Sequence, residues 1–97
     1  MPKYRYELWA DGFIDEENGQ RYPAIVASRQ YDGALSSQDV LSEMLMNDFY
    51  GAEEVLNFLE GNCTYWFLRE VIIAAESDLE RGDVADLVKR FDQGEFV

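Results

Sequence analysis

Residues 4–29, YRYELWADGFIDEENGQRYPAIVASR, decide the fold, because they place two alternating segments around a turn signal. In residues 3–9 every second side chain is tyrosine or leucine, which is the period of a β-strand. Asn18-Gly19 is a strong hairpin-turn signal, and residues 22–29 alternate again as the returning strand. Pro23 cannot donate a ladder hydrogen bond, so we expect this strand at a sheet edge. The segment predicts an N-terminal antiparallel β-hairpin.

From residue 36 onward the spacing of apolar side chains changes to the helical period of 3.6. Ser36 or Ser37 can cap a helix that we expect to end near Asn47. A second short helix is predicted from about Ala52 to Glu60, because Gly61 tolerates the left-handed conformation that closes helices.

A third and longest helix is predicted from about Thr64 to Arg81. Its apolar stripe comprises Tyr65, Leu68, Val71, Ile72, Ala75 and Leu79. Trp66 and Ile73 fall on the opposite side, so the helix is either covered on two sides or exposes them. The alternative is a strand over residues 64–68, which are rich in residues that favour strands.

A fourth helix is predicted after Asp83, which we expect to cap it. Val84, Leu87, Val88 and Phe91 follow at helical spacing. Residues 92–97 are expected to fray. Residues 1–97 therefore form a single acidic α+β domain, in which the hairpin, with a further strand as an option, packs against three or four helices.

The net charge disfavours a nucleic-acid-binding protein and favours a protein that binds a positively charged partner. The chain has 97 residues, with 20 acidic and 8 basic side chains, no histidine and a net charge of −12. Nucleic-acid binding is disfavoured, because the sequence has no basic patch to meet phosphates. Solubility alone would explain such acidity, but a partner with positive potential would be attracted from a distance.

Catalytic motifs are missing from the sequence. Without histidine the usual general base is absent, and histidine-dependent nucleophilic sites cannot form. Cys63 is the single cysteine and no lysine flanks it, so we expect a structural thiol. Zinc, calcium and phosphate-loop patterns all fail, and no cofactor is predicted. A pair of facing carboxylates would be the one route to catalysis, so the chain is not expected to be an enzyme.

The acids between Arg29 and Arg69 form the predicted partner-binding surface, because no base interrupts them. Tyr31 and Tyr50 are expected to act as aromatic anchors within it. The acidic members are Asp32, Asp39, Glu43, Asp48, Glu53, Glu54 and Glu60. Carboxylates spaced on a rigid surface can imitate the phosphates of a nucleic-acid duplex.

In size and composition the chain resembles small acidic phage anti-defence proteins, namely anti-CRISPR proteins and DNA-mimic inhibitors. The resemblance implies stoichiometric inhibition of a nuclease or a CRISPR-type effector complex through its positively charged nucleic-acid-binding surface. It also implies a basic protein or nucleoprotein partner in the host cytoplasm.

The alternative function is a non-catalytic assembly or adaptor protein, with a homodimer as one form. Exposed aromatic side chains, Trp9 and Trp66 among them, would then form the interface, and the acids would only maintain solubility. No apolar run approaches the length of a membrane span, and a cytoplasmic location is expected.

Overall fold

The computed structural model describes residues 3–46 and 52–96, without the side chains of Met46, Ala52 and Glu53. The described residues form an α+β fold with one four-stranded antiparallel sheet and three helices. In chain order the elements are β1 (Tyr4–Ile14), β2 (Arg21–Tyr31), α1 (Ser37–Met46), α2 (Ala52–Asn62), β3 (Tyr65–Ile72), β4 (Ala75–Asp83) and α3 (Val84–Asp92).

All three helices pack on one face of the sheet, whose strand order is β2-β1-β3-β4. The two central strands turn alternate side chains into the core, among them Tyr6 and Leu8 from β1 and Leu68 from β3. The buried helical side chains in the same core are Val40, Leu41, Met44, Leu45, Leu56, Leu59, Val84 and Leu87. The opposite face of the sheet has no layer of described residues over it.

The N-terminal hairpin is confirmed. β1 pairs with β2 from Tyr4↔Tyr31 to Ile14↔Arg21, with register shifts between Leu8 and Trp9 and between Ala10 and Phe13; the second shift contains Gly12. The turn is closed by a 2.8 Å hydrogen bond from the Asp15 amide to the Gln20 carbonyl, and Gly19 adopts a φ of 69°. β2 lies at the edge of the sheet, as Pro23 predicts.

The first two helices are also confirmed. The Ser36 hydroxyl accepts a 3.1 Å hydrogen bond from the Asp39 amide, which is the expected N-terminal cap of α1. The predicted end near Asn47 lies outside the described residues. α2 continues past Gly61 to Asn62, so this glycine is the penultimate residue of the helix and does not follow it.

The predicted third helix is wrong, because residues 65–83 form the hairpin β3–β4. The strand alternative for residues 64–68 agrees with the structure over residues 65–68, which begin β3. β3 lies beside β1 over its whole length and places Trp66 and Leu68 in the core. Glu70 follows at the next inward position, where it accepts a 2.8 Å hydrogen bond from the Tyr6 hydroxyl. Pairing with β1, whose partner residues lie 56 to 68 positions earlier in the sequence, therefore outweighs the local helical pattern.

The C-terminal segment begins with α3 as predicted and then folds back onto the domain. Asp83 is the N-cap residue of α3, but its side chain makes no capping hydrogen bond. Residues 92–96 do not fray, because Phe96 is buried in the core. Gln38 also donates a 2.6 Å hydrogen bond to the Glu95 carbonyl, which ties this segment to α1.

No helix within residues 3–46 and 52–96 is long and apolar enough to cross a membrane.

Candidate interaction surfaces

The helices α1 and α2 carry the clearest charge feature of the molecule, which we term the acidic helical layer. Together they contain five acidic residues, Asp39, Glu43, Glu53, Glu54 and Glu60, and no lysine or arginine. The side chains of Asp39, Glu43, Glu54 and Glu60 are exposed. The opposite sides of the two helices are buried in the core, so these carboxylates stand on a fixed support.

The ion pairs of the described residues all lie away from these four carboxylates. They lie within β1, within β4 and between β3 and β4, or join Lys3 to Asp32 and Arg90 to Glu80 and Glu95. None of the ion pairs of the described residues involves Asp39, Glu43, Glu54 or Glu60.

Two further predicted site residues lie at the end of β2, where the chain leaves the sheet for α1. Asp32 is exposed and pairs with Lys3, whose hydrogen bond lowers the pKa of this carboxyl. Tyr31 is half-buried, with its ring 5.9 Å from that of Tyr6. Burial raises the pKa of Tyr31, and the neighbouring Glu43 carboxylate raises it further. Tyr31 can therefore offer a partner only part of its ring.

The remaining predicted site residues are less defined. Asp48 and Tyr50 lie outside the described residues. Glu53 lies in the first turn of α2, but its side chain is not described. The structure thus brings four predicted carboxylates onto the helical layer and places Asp32 at an adjoining end of the sheet.

The outer face of the sheet, opposite the helices, carries a feature that the sequence did not reveal. The rings of Trp9 and Phe67 stack at 5.6 Å with an interplanar angle of 11°. The Arg69 guanidinium lies 5.1 Å from the centroid of each ring. Glu7 is only 6% exposed; it accepts hydrogen bonds from Trp9 Nε1 at 3.1 Å and from Arg5 Nε at 2.9 Å.

Charges on this outer face are balanced. Asp78 accepts hydrogen bonds of 3.0 Å from both Arg69 and Arg81, and Glu76 lies 3.7 Å from Arg69. The hydrogen bond from Arg69 is the largest cause that lowers the pKa of Asp78. Opposite charges are therefore paired on the sheet, whereas the helices α1 and α2 carry acids and no lysine or arginine of their own.

The buried polar groups near the start of β3 are held by structural contacts. Asp11 is 3% exposed and accepts hydrogen bonds from the Thr64 amide at 2.7 Å, the Tyr65 amide at 3.1 Å and the Thr64 hydroxyl. Burial acts to raise the pKa of Asp11, but these hydrogen bonds outweigh it and lower the pKa. Burial also raises the pKa of the Cys63 thiol, which is the opposite of what activates a nucleophilic cysteine.

Within the described residues, no group of three or more histidine, cysteine, aspartate or glutamate side chains could hold a metal ion. No family model matches the chain. No curated protein and no solved structure matches it either. Function is therefore inferred from the geometry and charge of this chain alone.

Proposed function

We propose that this chain is a non-catalytic acidic inhibitor of a nuclease or CRISPR-type effector complex. It binds the positively charged nucleic-acid-binding surface of that partner and occludes it, in the manner of a DNA mimic. The observation that carries this proposal is the acidic helical layer, whose exposed carboxylates have no basic residue on either helix to neutralise them.

The spacing of these carboxylates suits a surface that normally receives phosphates. Asp39 and Glu43 are four residues apart on α1, which separates them by about 6 Å along the helix axis. Duplex DNA carries one charge per ~1.7 Å of axis. The carboxylates therefore do not match the phosphates one by one, but they repeat the pattern of like charges at short intervals. The net charge of −12 would speed the encounter with a basic partner.

The buried acids and the thiol support a non-catalytic role. Glu7 accepts two hydrogen bonds and Asp11 accepts three, all from neighbouring side chains and amides. Cys63 is buried and its pKa is raised. A proton-transfer residue must be able to reach a substrate, and none of these three groups is exposed.

A pull-down from bacterial lysate tests the proposal. The tagged chain is washed at about 50 mM and about 500 mM salt, and the retained proteins are identified by mass spectrometry. We expect a basic nuclease or nucleoprotein complex that is retained at low salt and released at high salt, because screening weakens attraction between exposed charges. Its nucleic-acid binding should fall as the chain is added. A retained partner that is neutral, or that high salt does not release, would contradict the proposal.

The outer face of the sheet favours a second candidate, an assembly or adaptor protein that pairs with itself. Trp66 lies in the core and cannot contribute, so the interface would rest on the stacked Trp9 and Phe67. Light scattering at low and high salt tests this candidate. A dimer that persists at high salt and is lost in Trp9→Ala would favour it, and a monomer at every concentration would exclude it.

A further inference from the structure

The tip of the β3–β4 hairpin combines two unusual properties in one residue, Ile73. Its side chain is 84% exposed, the largest exposure among the large hydrophobic residues that the structure describes. Its φ of 59° is also the one positive value at a non-glycine position in the described part of the chain. Left-handed backbone is unfavourable for any residue with a Cβ and is a genuine outlier for a β-branched one.

The geometry of the turn shows why glycine would fit better. Ile72 pairs with Ala75, so Ile73 and Ala74 form a two-residue hairpin loop. A positive φ at the first loop residue alone is the type II′ pattern, which favours glycine there. At the other positive φ values in the described residues the chain does use glycine, at Gly19 and Gly94. Packing within the chain gives little compensation at position 73, because the side chain is exposed.

The hairpin tip lies at the end of the sheet where the chain enters α1. Ile72, Tyr4 and Tyr31 are aligned across three neighbouring strands, which places the first and last of them roughly 10 Å apart. Asp32, whose side chain is 86% exposed, directly follows Tyr31. An apolar side chain and an exposed carboxylate therefore project from the same end of the sheet.

We propose that Ile73 is an apolar anchor with which the chain docks into a pocket of its basic partner. The partner is a protein whose pocket accepts one branched aliphatic side chain and whose rim carries lysine or arginine. This rests on the proposed function, because the rim residues would meet Asp32 and the acidic helical layer. A buried apolar anchor surrounded by a polar rim is the arrangement that concentrates binding energy in protein interfaces.

Charge complementarity favours a basic partner protein over a second copy of this chain as the molecule that receives Ile73. Two copies would each bring a net charge of −12, so their approach is repelled at low salt. A basic partner removes that repulsion and leaves the apolar contact to fix the register of binding.

The first arm of the test needs only the chain itself. Ile73→Gly relieves the backbone, because glycine tolerates positive φ without steric cost. We expect the Tm to rise by roughly 2–6 °C for a domain of this size. Ile73→Ala keeps a Cβ in the same backbone conformation and should show a smaller change. A Tm that falls in Ile73→Gly would remove the premise and overturn the proposal.

The second arm measures affinity for the partner that the pull-down recovers, once it is identified and purified. Ile73→Asn should bind about tenfold more weakly or worse, with the salt dependence unchanged, whereas Ile73→Val should bind like the wild type. Ile14→Asn is the matched control, because Ile14 is 56% exposed at the opposite end of the sheet. It should change affinity by less than about threefold.

The outcomes separate the two proposals. If the wild type binds in a salt-dependent manner and Ile73→Asn binds equally well, the anchor is wrong and the proposed function stands. If the wild type retains no basic partner, both fall together. If the wild type self-associates and Ile73→Asn does not, the occupant is a second copy and the partner pocket is overturned.

Discussion

The two hairpins of this sheet are built in opposite ways. β1 and β2 are joined by six residues rich in turn formers, and Gly19 supplies the positive φ that the turn requires. β3 and β4 are joined by Ile73-Ala74, and an isoleucine occupies the position that favours glycine. The first hairpin is encoded locally, whereas the second depends on β3 lying beside β1. A residue that is poorly suited to its turn therefore indicates a requirement that lies outside the turn.

The contact between the two hairpins gives the largest expected effect. Asp11 on β1 accepts three hydrogen bonds from Thr64 and Tyr65 at the start of β3. Asp11→Ala should lower the free energy of unfolding by about 2–4 kcal/mol, because two amides and a hydroxyl lose a charged acceptor in a part-buried site. Asp11→Asn keeps one acceptor oxygen and should cost less. Denaturant unfolding at pH 7 measures both, and equal stability of Asp11→Ala and wild type would show that the second hairpin forms without this tie.

The pH dependence of the same pair follows from the lowered pKa of Asp11. A carboxyl whose pKa is lower when folded stabilises the fold above its unfolded pKa of about 3.9. That contribution is lost as the pH falls through the folded value. The stability difference between wild type and Asp11→Ala should therefore be constant near neutrality and shrink below about pH 4.

The next prediction concerns the packing around Gly12, which lies in the register shift between Ala10 and Phe13 of β1. A Cβ added at Gly12 would lie 2.5 Å from Cys63 Sγ and 3.3 Å from the Phe58 ring. Gly12→Ala should therefore cost about 1–3 kcal/mol through overpacking. In a Cys63→Ala background the same substitution should cost less than half as much, because the sulfur is gone. Additive costs in the double variant would mean that the thiol is not the obstacle.

The sequence predicted those helices and strands whose signals lie within one short segment of the chain. Alternation and Asn18-Gly19 predicted β1 and β2, and helical spacing predicted α1, α2 and α3. The β3–β4 hairpin was missed because Ile73-Ala74 carries no turn signal and because its apolar residues also fit a helical stripe. The signal that could have found it was the aromatic run over residues 65–67, which favours a strand.

The part of the candidate surface that lies on α1 and α2 was predictable from the sequence, because the helical spacing of apolar residues shows which side of each helix is exposed. Asp39, Glu43, Glu54 and Glu60 are exposed as expected. The packing of Tyr31 against Tyr6 depends on the partner strand and on the entry into α1, so sequence pattern alone could not show it. The stacked Trp9 and Phe67 beneath Arg69 were missed with the hairpin, since both residues of β3 had been assigned to a helix.

The smallest expected change in stability comes from substitutions at Gly19 and Ile73, the positive-φ residues of the two hairpin turns. Gly19→Ala puts a Cβ on a residue with a φ of 69° and no neighbouring atom within 4 Å of that carbon, so the expected cost of about 1 kcal/mol comes from the backbone alone. Ile73→Gly makes the reverse change in the other hairpin and should have the opposite sign. Thermal unfolding of the two variants side by side measures this, and the same sign in both would remove the contrast between the turns.

We propose that the acidic helical layer, and not the overall acidity, binds the basic partner. Affinity for the purified partner, measured across a salt series, tests it most directly. Glu43→Gln with Glu54→Gln removes two charges from the layer, and Glu16→Gln with Glu17→Gln removes two from the exposed hairpin turn. We predict several-fold weaker binding and a shallower salt dependence for the first pair only. Equal losses in the two pairs, or no loss in either, would contradict the claim.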